Sequence, residues 1–232
     1  MEPSEYCRQI EAYLCRKNEG HLIRIVGPAF EQVCGWAAVG VPLKVAFRGI
    51  DQYCDRYYAK GPRRRPVRIE FCEADVLELF DAWRRAIGVP RVDAGGPIEE
   101  PSSKKPALAG HVERAVARLT SVRAGDTRSA RFAERVDAVV RQLEDVATDA
   151  RGSRGDARAA IVDKLRSLDE DLMLAAREEA SSELTTTIGQ EADAELAPFR
   201  ERMPTTEFVR AHAAAVDRLL REAFALPLLT YD

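Results

Sequence analysis

Histidine is scarce in this chain: 232 residues hold three, His21, His111 and His212. None belongs to an H-E-x-x-H motif or a Glu-x-x-His pair, so the patterns of a zinc peptidase or a di-iron bundle are missing. Cysteine is thin as well. Cys7, Cys15, Cys34, Cys54 and Cys72 form no C-x-x-C pair, and an odd number suits neither a disulfide framework nor a zinc ribbon. Reduced, mostly buried thiols in a cytoplasmic protein are the expectation. Long apolar runs are absent too. The longest nearly apolar stretch, Trp36 to Leu43, is under half a membrane span and contains Gly40 and Pro42. The first residues, Met1-Glu2-Pro3-Ser4-Glu5, are acidic with no apolar segment behind them, so no secretory leader is expected.

The phosphate-binding glycine loops G-x-x-x-x-G-K-[ST] and G-x-G-x-x-G are also missing, which argues against ATP hydrolysis and dinucleotide binding. No Ser or Cys stands with a His and an acid in a recognisable nucleophile pattern. The acidic runs Asp169-Glu170-Asp171 and Glu178-Glu179 read as solvated helix faces. The expectation is a non-enzymatic protein with no catalytic residues, no metal ligands, no cofactor and no membrane span.

What is present is mixed charge, 35 basic against 38 acidic residues for a net of −3, which excludes a histone-like polycation. Hydrophobic residues make up 46%, enough for a packed core. All five cysteines and most aromatics lie before residue 84. The stretch from Val89 to Gly110, with Pro90, Pro97, Pro101 and Pro106 among Gly, Ser and charges, cannot bury an apolar face and reads as a flexible linker. The predicted architecture is all-α in two helical domains: a compact module over 1–88 and an antiparallel long-helix bundle over 111–232.

Within the module, Pro3 and Ser4 open a helix ending at Asn18-Glu-Gly20, and Pro28 opens a second that Gly40 stops. A third follows Pro42 and breaks at Gly61-Pro62, its inner stripe Val45, Ala46, Ile50, Tyr53, Cys54 and Tyr57. The fourth runs from about Glu73 to Ile87 with Gly88 as its C-cap. Val67 to Phe71 alternates like a strand but lacks a partner, so an ordered loop is expected. In the bundle, Phe132 to Ala150 and Ile161 to Ala175 carry apolar residues at helical spacing, with Arg151-Gly-Ser-Arg-Gly155 as the turn between them. Further helices are expected from about Glu183 to Arg202 and from Phe208 to Phe224, the last with Thr205 as N-cap.

One cluster stands out. Arg56, Lys60, Arg63, Arg64, Arg65 and Arg68 fall close together around Tyr57 and Tyr58. Guanidinium groups hold phosphate oxygens bidentately, and a tyrosine face stacks an unpaired base, so single- or double-stranded DNA is one reading. Glu70, Glu73 and Asp75 nearby offer two others, ion pairing with acidic side chains of this or another protein, or a solvated loop. A second feature is the apolar C-terminal tail. Phe224, Leu226, Leu228 and Leu229, around the helix-stopping Pro227, either fold back on the bundle or dock into a partner's groove.

The order of signals in the first module is Trp36-x-x-x-Gly-Val-Pro-Leu43, a helix with Gly49-Ile50-Asp51, an arginine-rich loop, Phe71-Cys-Glu73, and a helix bearing Asp81-Ala-Trp83. Across about 60 residues this resembles the helical modules of replication-initiation and helicase-loading proteins of the DnaD and phage lambda P sort. Trp36, Ile50 and Trp83 match packing positions of that pattern, which carries no catalytic residue. The resemblance implies a nucleotide-independent adaptor that binds DNA and a replicative helicase of the DnaB type. The alternative from the residues themselves is a protein–protein scaffold with no nucleic-acid role, its long helices pairing between copies as a homo-oligomer.

Overall fold

The computed structural model describes residues 1–59, 61, 65–89, 107–124 and 128–231. Among them all regular structure is helical, without a strand. The fold is all-α. The chain divides into two compact units, Met1–Val92 with Asp193–Ala214, and Asp93–Ala192 with Ala215–Asp232. Residues 193–214 therefore group with the N-terminal unit, whereas the sequence pattern assigns them to the C-terminal bundle.

The first unit starts with α1 (Pro3–Lys17), α2 (Pro28–Val39), α3 (Leu43–Tyr58) and α4 (Glu73–Ile87). Proline opens both α1 and α2, where its missing N–H is harmless and its fixed φ suits the first turn. Gly40 ends α2 at φ 88°, and Val41 N–H closes the cap on the Trp36 carbonyl at 2.9 Å. α1 packs on α2 and α3, and α3 lies along α4. That last contact is close because Gly49 meets the backbone of Val76: a Cβ there would stand 2.7 Å from Val76 Cα. A 3₁₀ turn, Ile69–Cys72, leads into α4 and takes up part of the ordered loop expected over 67–71.

The core holds Ile10, Leu14, Val33, Trp36, Ile50, Ile69, Val76, Phe80, Trp83 and Ile87, all buried. Trp36, Ile50 and Trp83, singled out by the resemblance, are thus packing residues. Phe30, Val33, Cys34 and Ala37 stand at helical spacing in α2, yet the helix turns a different face inward. Ala29, Val33 and Trp36 are buried, while Phe30 is partly exposed. The 3₁₀ segment Ala197–Arg202 adds Phe199, whose ring lies 5.9 Å from Trp83. Trp83 Nε1 donates to Glu195 Oε2 at 3.2 Å, giving the buried indole N–H its acceptor. Val89, part of the linker by composition, is buried in this unit and donates its N–H to the Arg84 carbonyl.

The second unit holds α5 (Leu108–Ala124), α6 (Ala130–Ala150) and α7 (Gly155–Glu179), with α5 against α6 and α6 against α7. It also takes in α8 (Ser182–Leu196) up to Ala192 and α9 (Thr205–Ala223) from Ala215. α5 is an addition to the predicted elements, and it begins inside the stretch that reads as linker. Its buried residues Leu108, Val112, Ala115 and Leu119 keep helical spacing. Ser129 caps α6, its Oγ accepting from Phe132 N–H at 3.2 Å. Thr205 is the first residue of α9 rather than its cap, and Phe208 N–H bonds back to the Pro204 carbonyl.

The tail folds back on this unit. Phe224, Leu226 and Leu229 are buried, and only Leu228 among the four, 56% exposed, faces solvent. Phe224 packs on Phe132 under the Arg128 guanidinium. His111 Nε2 pairs with the Leu229 carbonyl at 3.0 Å, and the Tyr231 ring meets the His111 ring edge-on. The organiser is Asp169. Its acidic run suggests a solvated face, yet it is buried, pairs with Arg221 and accepts Leu229 N–H at 2.9 Å. A partner-docking role for Phe224, Leu226 and Leu229 is corrected accordingly: their side chains fill this chain's own core.

Candidate nucleic-acid interface

Of the basic cluster and its tyrosines, Arg56, Tyr57, Tyr58, Arg65 and Arg68 can be placed. Lys60, Arg63 and Arg64 lie outside the described residues. The five are not equivalent. Tyr58 turns inward, its hydroxyl donating to Asn18 Oδ1 at 2.9 Å. Asn18 is buried and also receives the Val67 N–H at 2.6 Å, while its amide donates to the Leu14 and Val67 carbonyls at 2.8 and 3.1 Å. One side chain thus ties the end of α1 to the exit of the arginine loop. The sequence pattern marks Asn18 only as a helix stop.

Arg56 forks onto Asp75 with contacts of 2.5 and 2.8 Å, a bidentate pair in which the carboxylate is buried and the guanidinium half-exposed. The hydrogen bond to Asp75 raises the Arg56 pKa further. Arg68 pairs with Glu70. The in-chain ion pairs that Glu70 and Asp75 offered are therefore both formed. Arg65 is exposed, and its carbonyl accepts the Tyr57 hydroxyl at 3.1 Å.

Beside these cations runs a row of aromatic rings that sequence reasoning joins only in part. Tyr53 lies 6.0 Å from Tyr57 with 20° between ring planes, and 6.2 Å from Phe71 with 13° between them. Phe71 stands 58% exposed. The Arg56 guanidinium sits 5.7 Å over the Tyr53 ring. Burial pushes the Tyr53 phenol upward, keeping it neutral in the ordinary range. The spacing of α3 puts Tyr53 and Tyr57 in its buried stripe, whereas both are half-buried in the structure. The signal that joins them is their i,i+4 step, which places both rings on one helix face.

Among the described residues no three His, Cys, Asp or Glu side chains gather as a metal site would require. No helix among them is long and apolar enough to cross a membrane. The thiols are free. Cys7, Cys54 and Cys72 are buried, and Cys15 and Cys34 are half-buried. No family model matches the chain, and neither do curated proteins or solved structures.

Proposed function

We propose that the first unit contacts nucleic acid with the face formed by the end of α3 and the loop leading to α4. On this reading the chain is a nucleotide-independent adaptor of DNA replication and catalyses no reaction. The observation that carries it is the row Tyr57, Tyr53 and Phe71, partly open to water and flanked by Arg65, Arg56 and Arg68, with Lys60, Arg63 and Arg64 adjacent in sequence. Guanidiniums beside accessible rings are what a phosphate backbone with bases requires. The partner on this reading is a replicative helicase of the DnaB type, supported by the ordered pattern from Trp36 to Trp83. The long helices of the second unit are the surface for gripping it, and the cytoplasm is the compartment.

The test is binding at low salt. Each phosphate contact gives a log–log salt slope of roughly −0.7 to −0.9. Replacing Arg63, Arg64 and Arg65 together with alanine should flatten that slope by about two to three units and weaken all sequences alike. Stability should hardly change, since exposed cations contribute only about 0–1 kcal/mol each.

A second reading has its own observation. Arg56 and Arg68 already hold Asp75 and Glu70, and a pair so neutralised contributes little field. This favours a protein–protein scaffold, monomeric or self-associating. It predicts no salt-dependent retention of single- or double-stranded DNA, and that result would replace the first reading with the second.

A further inference from the structure

We infer that the face is selective for single-stranded nucleic acid and holds it by stacking unpaired bases on Phe71, Tyr53 and Tyr57. The inference rests on the nucleic-acid reading above and names its ligand class.

Each ring of the row has an arginine near it, Arg56 by its side chain and Arg65 and Arg68 by their backbone. Arg65 is held at the Tyr57 end, because the Tyr57 hydroxyl bonds its carbonyl. Arg56 lies over Tyr53 and is fixed there by its two bonds to Asp75. Arg68 stands at the Phe71 end, its carbonyl accepting the Phe71 N–H at 3.2 Å and the Cys72 thiol at 3.8 Å. Three arginines therefore border one row of rings, with the Arg56 guanidinium over Tyr53, and neighbouring ring planes stay within 20° of each other. A single strand offers an accessible base face together with a phosphate in every repeat. A duplex does not, since its bases are stacked on each other and present only their edges.

The exposure of Phe71 supports the same ligand. A phenylalanine 58% open to water, close behind a buried Ile69 and preceding a buried Cys72, is not needed by the core. Its neighbour Tyr53 orients the ring through a parallel contact and leaves the outer side open. Asp75 has a definite part as well. By holding Arg56 over Tyr53 it keeps a guanidinium beside the row, and by pairing with it lowers the net field so that stacking, not charge alone, decides affinity. Sequence-tolerant binding follows, because every base offers a π face.

The test measures binding of the full chain to a fluorescent oligo(dT), to a mixed-sequence single strand and to its duplex, over a salt series. Wild-type protein should bind both single strands alike and more tightly than the duplex. Phe71→Ala should weaken single-strand binding about tenfold, in line with the loss of one stacked base, and leave the salt slope unchanged. Phe71→Trp should restore or strengthen it. Tyr53→Leu, which keeps apolar bulk on α3, should give a similar loss. Arg65→Ala should instead flatten the slope by about 0.7. Equal binding of duplex and single strand, or wild-type affinity in Phe71→Ala and Tyr53→Leu, overturns the stacking proposal while the phosphate-contact reading stands. Absence of binding by the wild type at low salt overturns both.

Discussion

Asn18 shows how much a single polar side chain can hold. Both its amide hydrogens and its carbonyl oxygen are used, linking Leu14, Tyr58 and both polar groups of the Val67 backbone. An asparagine suits this place because it is at once donor and acceptor and carries no charge to desolvate. Asn18→Ala leaves the buried Val67 N–H and C=O without these partners, and each orphaned group costs about 1–3 kcal/mol. The expected loss is about 2–4 kcal/mol, read as a lowered midpoint in urea unfolding with an unchanged slope. A variant as stable as wild type would show that the loop exit is held by something else. Asp169 does the equivalent work in the second unit, where its carboxylate joins Arg221 to the backbone of Leu229.

Elements meet where side chains permit it, and α3 meets α4 closely at a glycine. Gly49 lies directly against Val76: a methyl group at this position would stand 2.5 Å from Val76 Cγ2 and 2.7 Å from its backbone N. Backbone cannot swing aside as a lysine tip would, so Gly49→Ala must push the helices apart. Overpacking costs about 1–3 kcal/mol, which exceeds the roughly 1 kcal/mol that alanine gains over glycine in a helix. Net destabilisation is expected in thermal or urea unfolding. Gly189 in α8 provides the contrast, since a Cβ there meets nothing within 4 Å. Gly189→Ala should stabilise by about 0.5–1 kcal/mol. Loss of stability in both, or in neither, would contradict the packing described.

At the scale of the whole chain the thiols report on the fold. Cys15 and Cys34 are half-buried, Cys7, Cys54 and Cys72 buried. A thiol reagent at neutral pH should modify the first two in the native protein and the other three only after denaturant is added. Burial pushes Cys54 up to about 11 and Cys72 up to about 12. These groups favour folding below the ordinary thiol range, and that contribution is lost as pH rises from there toward 11 and 12, since the unfolded chain ionises first. Stability should therefore decline between about pH 9 and pH 11 and recover on return. Single-phase labelling of all five at neutral pH would mean that the first unit does not keep its core closed.

Local signals are sufficient where a residue acts on its own neighbours in sequence. Pro3 and Pro28 open helices, Gly40 and Gly88 close them at φ 88° and 71°, and the apolar spacing of α3, α4, α6 and α7 marks most of their inner faces. The basic cluster is legible because charge density is a property of sequence, and the all-α class follows from the same periodicity. Tertiary structure alone decided the rest. The grouping of 193–214 with the N-terminal unit, the burial of Asn18 and Asp169, and the return of the tail each join residues distant in sequence. Phe71 joins the aromatic row only because the turn after Arg68 carries it to Tyr53, a contact that no periodicity encodes. Helical spacing reports which side chains share a face, whereas the partner of that face is set by packing energies summed over the whole chain.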